Sequence, residues 1–190
     1  MKKRCGWPGD DPLYIDYHDL EWGVPVHDDR SWFEFLCLEG QQAGLSWITV
    51  LKKRDNYRKA FNDFDISKAA AMSDAIIENH LTNAGLIRNR LKLYSIRINA
   101  NAFITVQNEF GSFDQYIWSF VAGKPIDGKR KKPEEVPTTS QESDAMSKDL
   151  KTRGFKFCGS TICYALMQAA GMINDHTHQC YRYSEVKRLT

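Results

Sequence analysis

Four side chains near the two ends of the chain are of the types that bind metal. Cys5 and His18 lie near the start, and His176 and Cys180, spaced His-x3-Cys, lie near the end. Two cysteines and two histidines are the usual makeup of a closed tetrahedral zinc site, and i, i+4 spacing puts two ligands on one side of a helical turn. His27 and His178 compete for the same role. Four protein ligands leave no open position for substrate, so a metal here would pin both chain ends to the body. The alternative is that Cys5 is a stray terminal thiol and His176 a surface or cap residue.

A second group lies in Leu38-Glu-Gly-Gln-Gln-Ala-Gly-Leu-Ser-Trp47. Helical spacing puts Glu39 on the face of Trp32, Phe35 and Leu36, so its carboxylate points toward apolar surroundings. That is costly unless the group is paired or functional. The glycines and glutamines that follow, with Leu45 and Trp47, can present amides, an apolar finger and an indole close together. Pairing of Glu39 with an arginine in a plain helix–helix turn is the competing reading.

Asn83-Ala-Gly85-Leu-Ile-Arg88-Asn-Arg90 forms a third group, between two helices. A glycine turn leading into a helix can aim backbone N–H groups at a phosphate, and Arg88, Arg90 and Lys92 add positive charge. Many helical hairpins look like this and bind nothing. Trp7, Tyr14, Tyr17 and Trp22 crowd the N-terminal segment; bases stack on such rings, a cationic base with an added cation–π term, although core packing also uses them.

The elements that must position these groups read as helical almost throughout. Ser31 to Glu34 has the pattern of a capping box. A helix from Ser46 would keep Trp47, Val50, Leu51, Tyr57 and Phe61 on one stripe, and Ser73 caps a short helix through Leu81. A long helix then carries Leu91, Tyr94, Ile98 and Ala102. Residues 123–142 are rich in Gly, Pro, Lys, Thr, Ser and Glu, with Lys129-Arg130-Lys131-Lys132, and read as an irregular surface loop. Ser143 caps another helix ended by Gly154, and a last helix runs from about Ser160 to Ala170, closed by Gly171. There is no repeat and no convincing strand alternation. The expectation is an all-α fold, one domain over residues 1–190.

Composition sets bounds. A chain of 190 residues with 42% hydrophobic content can build a real core. A net charge of +2 and a pI of about 8.2 permit nucleic-acid binding without demanding it. No apolar stretch is long enough to span a membrane, and no hydrophobic region follows the basic start. The five cysteines are odd in number, which favours thiols or metal ligands over a disulfide framework. The reading is a cytoplasmic monomer.

Taken together, these pieces resemble the 3-methyladenine DNA glycosylase I family, a branch of the helix-hairpin-helix DNA glycosylases. The resemblance rests on Arg4-Cys-Gly-Trp7, Asp11 to Ile15, Tyr17-His-Asp19, Glu21 to Pro25, the long block Cys37 to Arg54, Arg153 to Phe157, Thr161 to Tyr164 and Asn174-Asp-His176, and covers the chain from about Arg4 to Cys180. It implies the helix-hairpin-helix glycosylase fold, with the hairpin at about 74–105. It also implies one structural zinc at Cys5, His18, His176 and Cys180, tying the two termini. The base pocket it implies is built by Glu39, Trp47 and Tyr17, with Tyr14, Trp7 and Trp22. Gly123 to Val136 shows no recognisable family motif, so no role is carried onto Lys129 to Lys132. The tail after Cys180 also diverges, and Leu91 lies where a small residue would fit more easily beside DNA.

The implied reaction is hydrolysis of the N-glycosidic bond of 3-methyladenine in double-stranded DNA, with the enzyme associated with the nucleoid through that DNA. The base would be flipped out of the stack and an abasic site left, without strand cleavage. Glu39 would accept from the amino edge and favour the cationic ring, Trp47 would stack on it, and Leu45 would fill the gap in the duplex. Gly85, Arg88 and Arg90 would meet the backbone. No lysine is placed for a Schiff base, and neither Asp114 nor Asp175 stands out as a general base; either Glu39 does double duty or, the preferred reading, the charged substrate makes a strong base unnecessary. Two other classes compete: a non-catalytic damage-sensing DNA module, and a zinc-stapled interaction domain. Neither needs a buried carboxylate beside a base-sized pocket.

Overall fold

The structure is a computed structural model that describes residues 2–189. The fold is mostly helical, as expected. Helix α1 (Pro12–Leu20) starts where Asp11 accepts the Leu13 N–H and proline fills the first turn. Helix α2 (Asp29–Gln42) is the centre of the molecule, with every residue from Trp32 to Gln41 buried except half-buried Glu34. A helix covered on nearly all sides is a core helix. Its cap is Asp28, whose carboxylate accepts both the N–H and the hydroxyl of Ser31. The expected Ser31–Glu34 capping box is therefore corrected: an upstream carboxylate takes the role. Glu34 instead receives Arg54 at 2.5 Å and Arg58 at 2.8 Å.

The helix expected from Ser46 is two, α3 (Trp47–Leu51) and α4 (Arg54–Ala60). The chain tightens between them, with Lys53 N bonded to Val50 O at 2.9 Å. Short helices α5 (Ile66–Ala70) and α6 (Asp74–His80) follow, the latter capped by Ser73 as predicted. Helix α7 (Arg90–Phe110) is the longest. Its buried stripe is Leu93, Ile96, Ala100, Phe103 and Val106, while Leu91 is 72% exposed and Ile98 also faces out. Two apolar stripes of the same period compete along α7, and packing against α2 and α5 selects the one that does not contain Leu91. Helix α8 (Phe113–Trp118) closes this side, its Phe113 ring stacked on Phe103 at 4.0 Å.

Helix α9 (Gln141–Thr152) is capped by Ser140; Ser143, the expected cap, instead completes the capping box at the third helical position. Helix α10 (Ser160–Ala169) ends at Gly171, where φ is +74° and an added Cβ would lie 2.4 Å from the Pro25 nitrogen. Only glycine lets α10 close against residues 23–26, which bond to it through Gly23 N to Ala169 O and Val26 N to Ala170 O. α10 is not the last helix: α11 (Tyr181–Lys187) follows Cys180. Two strands of two residues each also form, β1 (Ile126–Asp127) parallel to β2 (Ile173–Asn174), with Ile126 opposite Ile173. Two residues are too few to leave an alternating pattern, but the pair ties the irregular loop, which ends at Ser140 where α9 begins rather than at 142, to the C-terminal segment.

Candidate active site

A cavity of about 330 Å³ opens between the N-terminal segment, the end of α2, the start of α3 and the loop before α9, at the lower end of small-molecule sites. Glu39 reaches it from the last turns of α2 and is 3% exposed. None of the ion pairs among the described residues includes Glu39, and its Oε2 is buried with no partner in the protein. The arginine pairing weighed from sequence does not occur: Arg54 is taken by Glu21 and Glu34. Burial pushes the Glu39 carboxyl up to about 8. Trp47, at the start of α3, lines the same cavity with a buried Nε1–H that also lacks a partner. Three buried side-chain atoms among the described residues lack a partner, Glu39 Oε2, Trp47 Nε1 and Arg182 Nε; such atoms are unusual in a packed interior, and the first two, one acceptor and one donor, share this cavity.

The expected aromatics all line the cavity and form one continuous wall. Tyr17 packs on Trp47 at 5.4 Å, and Trp7 touches Tyr14 at 4.8 Å and Trp22 at 5.1 Å. The Tyr17 hydroxyl is raised by burial and then by the nearby Glu39 charge, as is that of Tyr14. An electron-rich wall beside a carboxylate favours a flat, cationic ring.

The opposite side of the cavity was not read from sequence. Pro133 and Val136 of the unassigned loop line it, with Gln42, Gln168 and Asp175. Arg130 holds that loop down through Asp175 at 2.8 Å. Asp175 also accepts from Tyr164 Oη at 2.6 Å and Gln168 Nε2 at 2.9 Å. Its oxygens are thus committed to three donors. Gly128 makes room for the pair, since a Cβ there would sit 2.1 Å from Asp175 Oδ1. Asp114 is outside the cavity lining, accepting the Trp32 indole at 2.9 Å and pairing with His27. The only signal for the loop's role was an arginine among lysines, which reads as a solvated charge run.

Behind the aromatic wall, the ligand atoms of Cys5, His18, His176 and Cys180 lie within 4.8 Å of one another, all four residues buried. The sulfur–nitrogen distances are 3.7 Å for Cys5 to His176, 3.5 Å for Cys180 to His18 and 3.5 Å for Cys180 to His176. Metal bonds of about 2.3 Å to sulfur and about 2.0 Å to nitrogen at tetrahedral angles would hold those atoms about 3.5 Å apart. The residues therefore fit a tetrahedral ion. The remaining ring nitrogens are oriented as metal-bound histidines require, His18 Nδ1 on Asp19 at 2.8 Å and His176 Nε2 on the Trp22 carbonyl at 3.0 Å. The competing histidines are elsewhere, His27 stacked on Trp118 and His178 exposed against Tyr183.

The α6–α7 turn carries Gly85, whose N–H donates to Asn83 Oδ1 at 2.8 Å, and exposed Arg88 and Arg90. Arg90 pairs with Glu78. Lys92, expected to add surface charge here, is buried: its Nζ donates to the Gln41 and Ala43 carbonyls. Leu45 is 42% exposed on the loop after α2, where Gly44 adopts a φ of +75°.

The methyladenine glycosylase family model matches residues 7–183. The chain belongs to the methyladenine glycosylase family. It is thus an enzyme of the DNA glycosylases, hydrolases of N-glycosyl bonds. It is 52% identical to DNA-3-methyladenine glycosylase 1 of Escherichia coli over 95% of this chain and 97% of that one. A crystal structure of 3-methyladenine DNA glycosylase I superposes with a TM-score of 0.92 at 52% identity, covering 94% of this chain and 98% of the other. The Staphylococcus aureus member, solved for the basis of its 3-methyladenine recognition, gives 0.91 at 37% identity over 94% of this chain and 95% of its own. Within this methyladenine glycosylase, the cavity wall supplied by residues 133–136 falls inside the matched range although no family motif is legible there.

Proposed function

We propose that this enzyme excises 3-methyladenine from double-stranded DNA, releasing free base and leaving an abasic site. The observation that carries the reading is the pair of orphaned polar atoms, Glu39 Oε2 and Trp47 Nε1, in an aromatic cavity. A base methylated at N3 is cationic while attached to the sugar. Glu39 accepts from its amino edge, and as the cation enters, the carboxyl gives up its proton and stays as the counter-charge. Trp47 and Tyr17 lie against the ring, and Tyr14, Trp7 and Trp22 complete the wall. When the C1′–N bond breaks, its electron pair neutralises the ring, so the leaving group needs no added proton. Water adds to the sugar carbon and loses a proton to solvent. Asp175, held by three donors, is not needed as a base.

The absence of strand cleavage in this reading is supported by the lysines. None lines the cavity, and the buried one, Lys92, is bonded to backbone carbonyls. The α6–α7 turn acts as the helix-hairpin-helix element, with Arg88 free to meet a phosphate and Gly85 and Arg90 doing so by exchanging their bonds to Asn83 and Glu78, and Leu45 enters the duplex where the base leaves. A zinc ion held by Cys5, His18, His176 and Cys180 would be structural, with no open coordination position for reaction chemistry. The enzyme works as a monomer on DNA in the cytoplasm; no helix of the described residues is long and apolar enough to cross a membrane. Chromatography of methylated duplex DNA after incubation tests the reading. Free 3-methyladenine with an intact backbone is expected; no released base, or a cut backbone, counts against it.

A further inference from the structure

A lysine in the first turn of a helix sits at the positive end of the helix dipole and belongs in solvent. Lys92 lies in the first turn of α7 and is 6% exposed. Its Nζ instead crosses to the end of α2, donating to Gln41 O at 2.8 Å and Ala43 O at 2.6 Å. These carbonyls are at the negative end of α2, where intrahelical donors have run out.

The Gln41 side chain answers the same contact. Its Nε2 donates to Lys92 O at 2.9 Å, and its Oε1 accepts the Tyr57 hydroxyl at 2.9 Å. Tyr57 Oη accepts in turn from Ile87 N, at 3.1 Å, in the α6–α7 turn. One polar lattice thus joins the end of α2, helix α4, the turn and the start of α7. Beyond Ala43 the chain is exposed at Gly44, Leu45 and Ser46 before Trp47 is buried again.

We propose that Lys92 is a positioning residue for duplex opening: its ammonium fixes the base of the 43–46 loop, and so the offset of Leu45 from the α6–α7 turn. This rests on the reading that Leu45 enters the duplex and that the turn holds the backbone. A side chain that pushes a base out must act at a set distance from the phosphates that are gripped. A stiff link between the two converts backbone binding into extrusion. Lys92 touches neither base nor phosphate and acts through Leu45.

The test compares Lys92→Met with the unaltered enzyme on one methylated oligonucleotide, presented as a duplex and as a single strand whose base needs no displacement. Excision from duplex is expected to fall about tenfold or more, with single-strand excision and binding of free 3-methyladenine held within about twofold. In a Leu45→Ala background the Lys92→Met change is expected to add nothing, because the two act as a unit. Equal losses on both substrates, additive effects of the two changes, or an undiminished duplex rate would overturn the proposal. Should Lys92→Met fail to fold, Lys92→Arg, which keeps the charge but displaces its donors, is run through the same comparison with a smaller duplex-confined loss expected. An unaltered enzyme that releases no base from either substrate would sink the glycosylase reading, and this proposal with it.

Discussion

Arg130 and Asp175 meet at 2.8 Å, and through that contact a loop with no recognisable motif becomes a wall of the cavity. The carboxylate is fully buried and the guanidinium mostly so. Removing one partner of a buried pair strands the other. Arg130→Met is therefore expected to destabilise the fold by about 3 kcal/mol and to weaken free 3-methyladenine binding as Pro133 and Val136 loosen. Urea unfolding and titration calorimetry check the two effects; unchanged base affinity would mean the loop does not shape the site.

Glu39 carries the second prediction. Its ionised form is the one that favours a cationic base, and the free protein holds it protonated up to a pH of about 8. Excision kcat/KM is then expected to rise with pH toward about 8 and level off above it, since that parameter reports the free enzyme. Glu39→Gln is expected to lower kcat/KM by about 10²–10³-fold and to flatten the profile. A flat profile for the unaltered enzyme from pH 6 to 8 would remove the carboxylate from this role.

The same group gives a stability test. Its folded value, about 8, lies above the ordinary 4.5. The stabilisation from the neutral form is thus complete below about 4.5 and is lost as pH rises through about 8. Between those limits the unaltered protein is expected to lose stability relative to Glu39→Gln, on the order of a few kcal/mol. Urea midpoints of both proteins across that range measure it, and parallel curves would contradict the assigned shift.

For the metal cluster, elemental analysis is expected to find about one zinc per chain, as a single closed four-ligand site requires. Chelation or Cys180→Ser is expected to lower the Tm and to loosen Trp22, whose carbonyl is bonded to His176. A fully folded, metal-free protein with an unchanged Tm would exclude the structural role.

Gly171→Ala is expected to destabilise by more than 1 kcal/mol, because a φ of +74° and a 2.4 Å approach to Pro25 leave no place for a methyl group. Thermal unfolding gives the value, and an unshifted Tm would mean that the contact relaxes freely.

Spacing alone left Glu39 with Trp47, and the Cys5, His18, His176 and Cys180 set, open against plainer readings, and the family resemblance narrowed both; the structure brings each group together. The positions that misled have a common cause. Lys92 and Arg130 are cations whose surroundings are decided by chain segments distant in sequence, so local pattern sends both to solvent. Leu91 and Ile98 belong to an apolar stripe as regular as the buried one, and only packing against α2 and α5 separates them. Asp28 displaced Ser31 as cap because either residue can serve and the chain's approach direction decides. Residues Ile126–Asp127 pair with Ile173–Asn174 over a length that has no periodicity to read.

The cluster that gathers residues 5, 18, 176 and 180 also changes what the chain ends are. Arg4 is paired to Asp19 at 2.8 Å and Tyr181 N bonds to Lys3 O at 2.9 Å, so the two ends are knotted into each other and into the back of the aromatic wall. In most domains a terminus loosens harmlessly; here the segments around residues 5 and 180 pack behind Trp7 and Trp22, which line the cavity. Because the Trp7 ring lies 5.3 Å from His18 and the Trp22 ring 4.6 Å from His176, any change that frees those histidines is expected to be felt first in the aromatic wall.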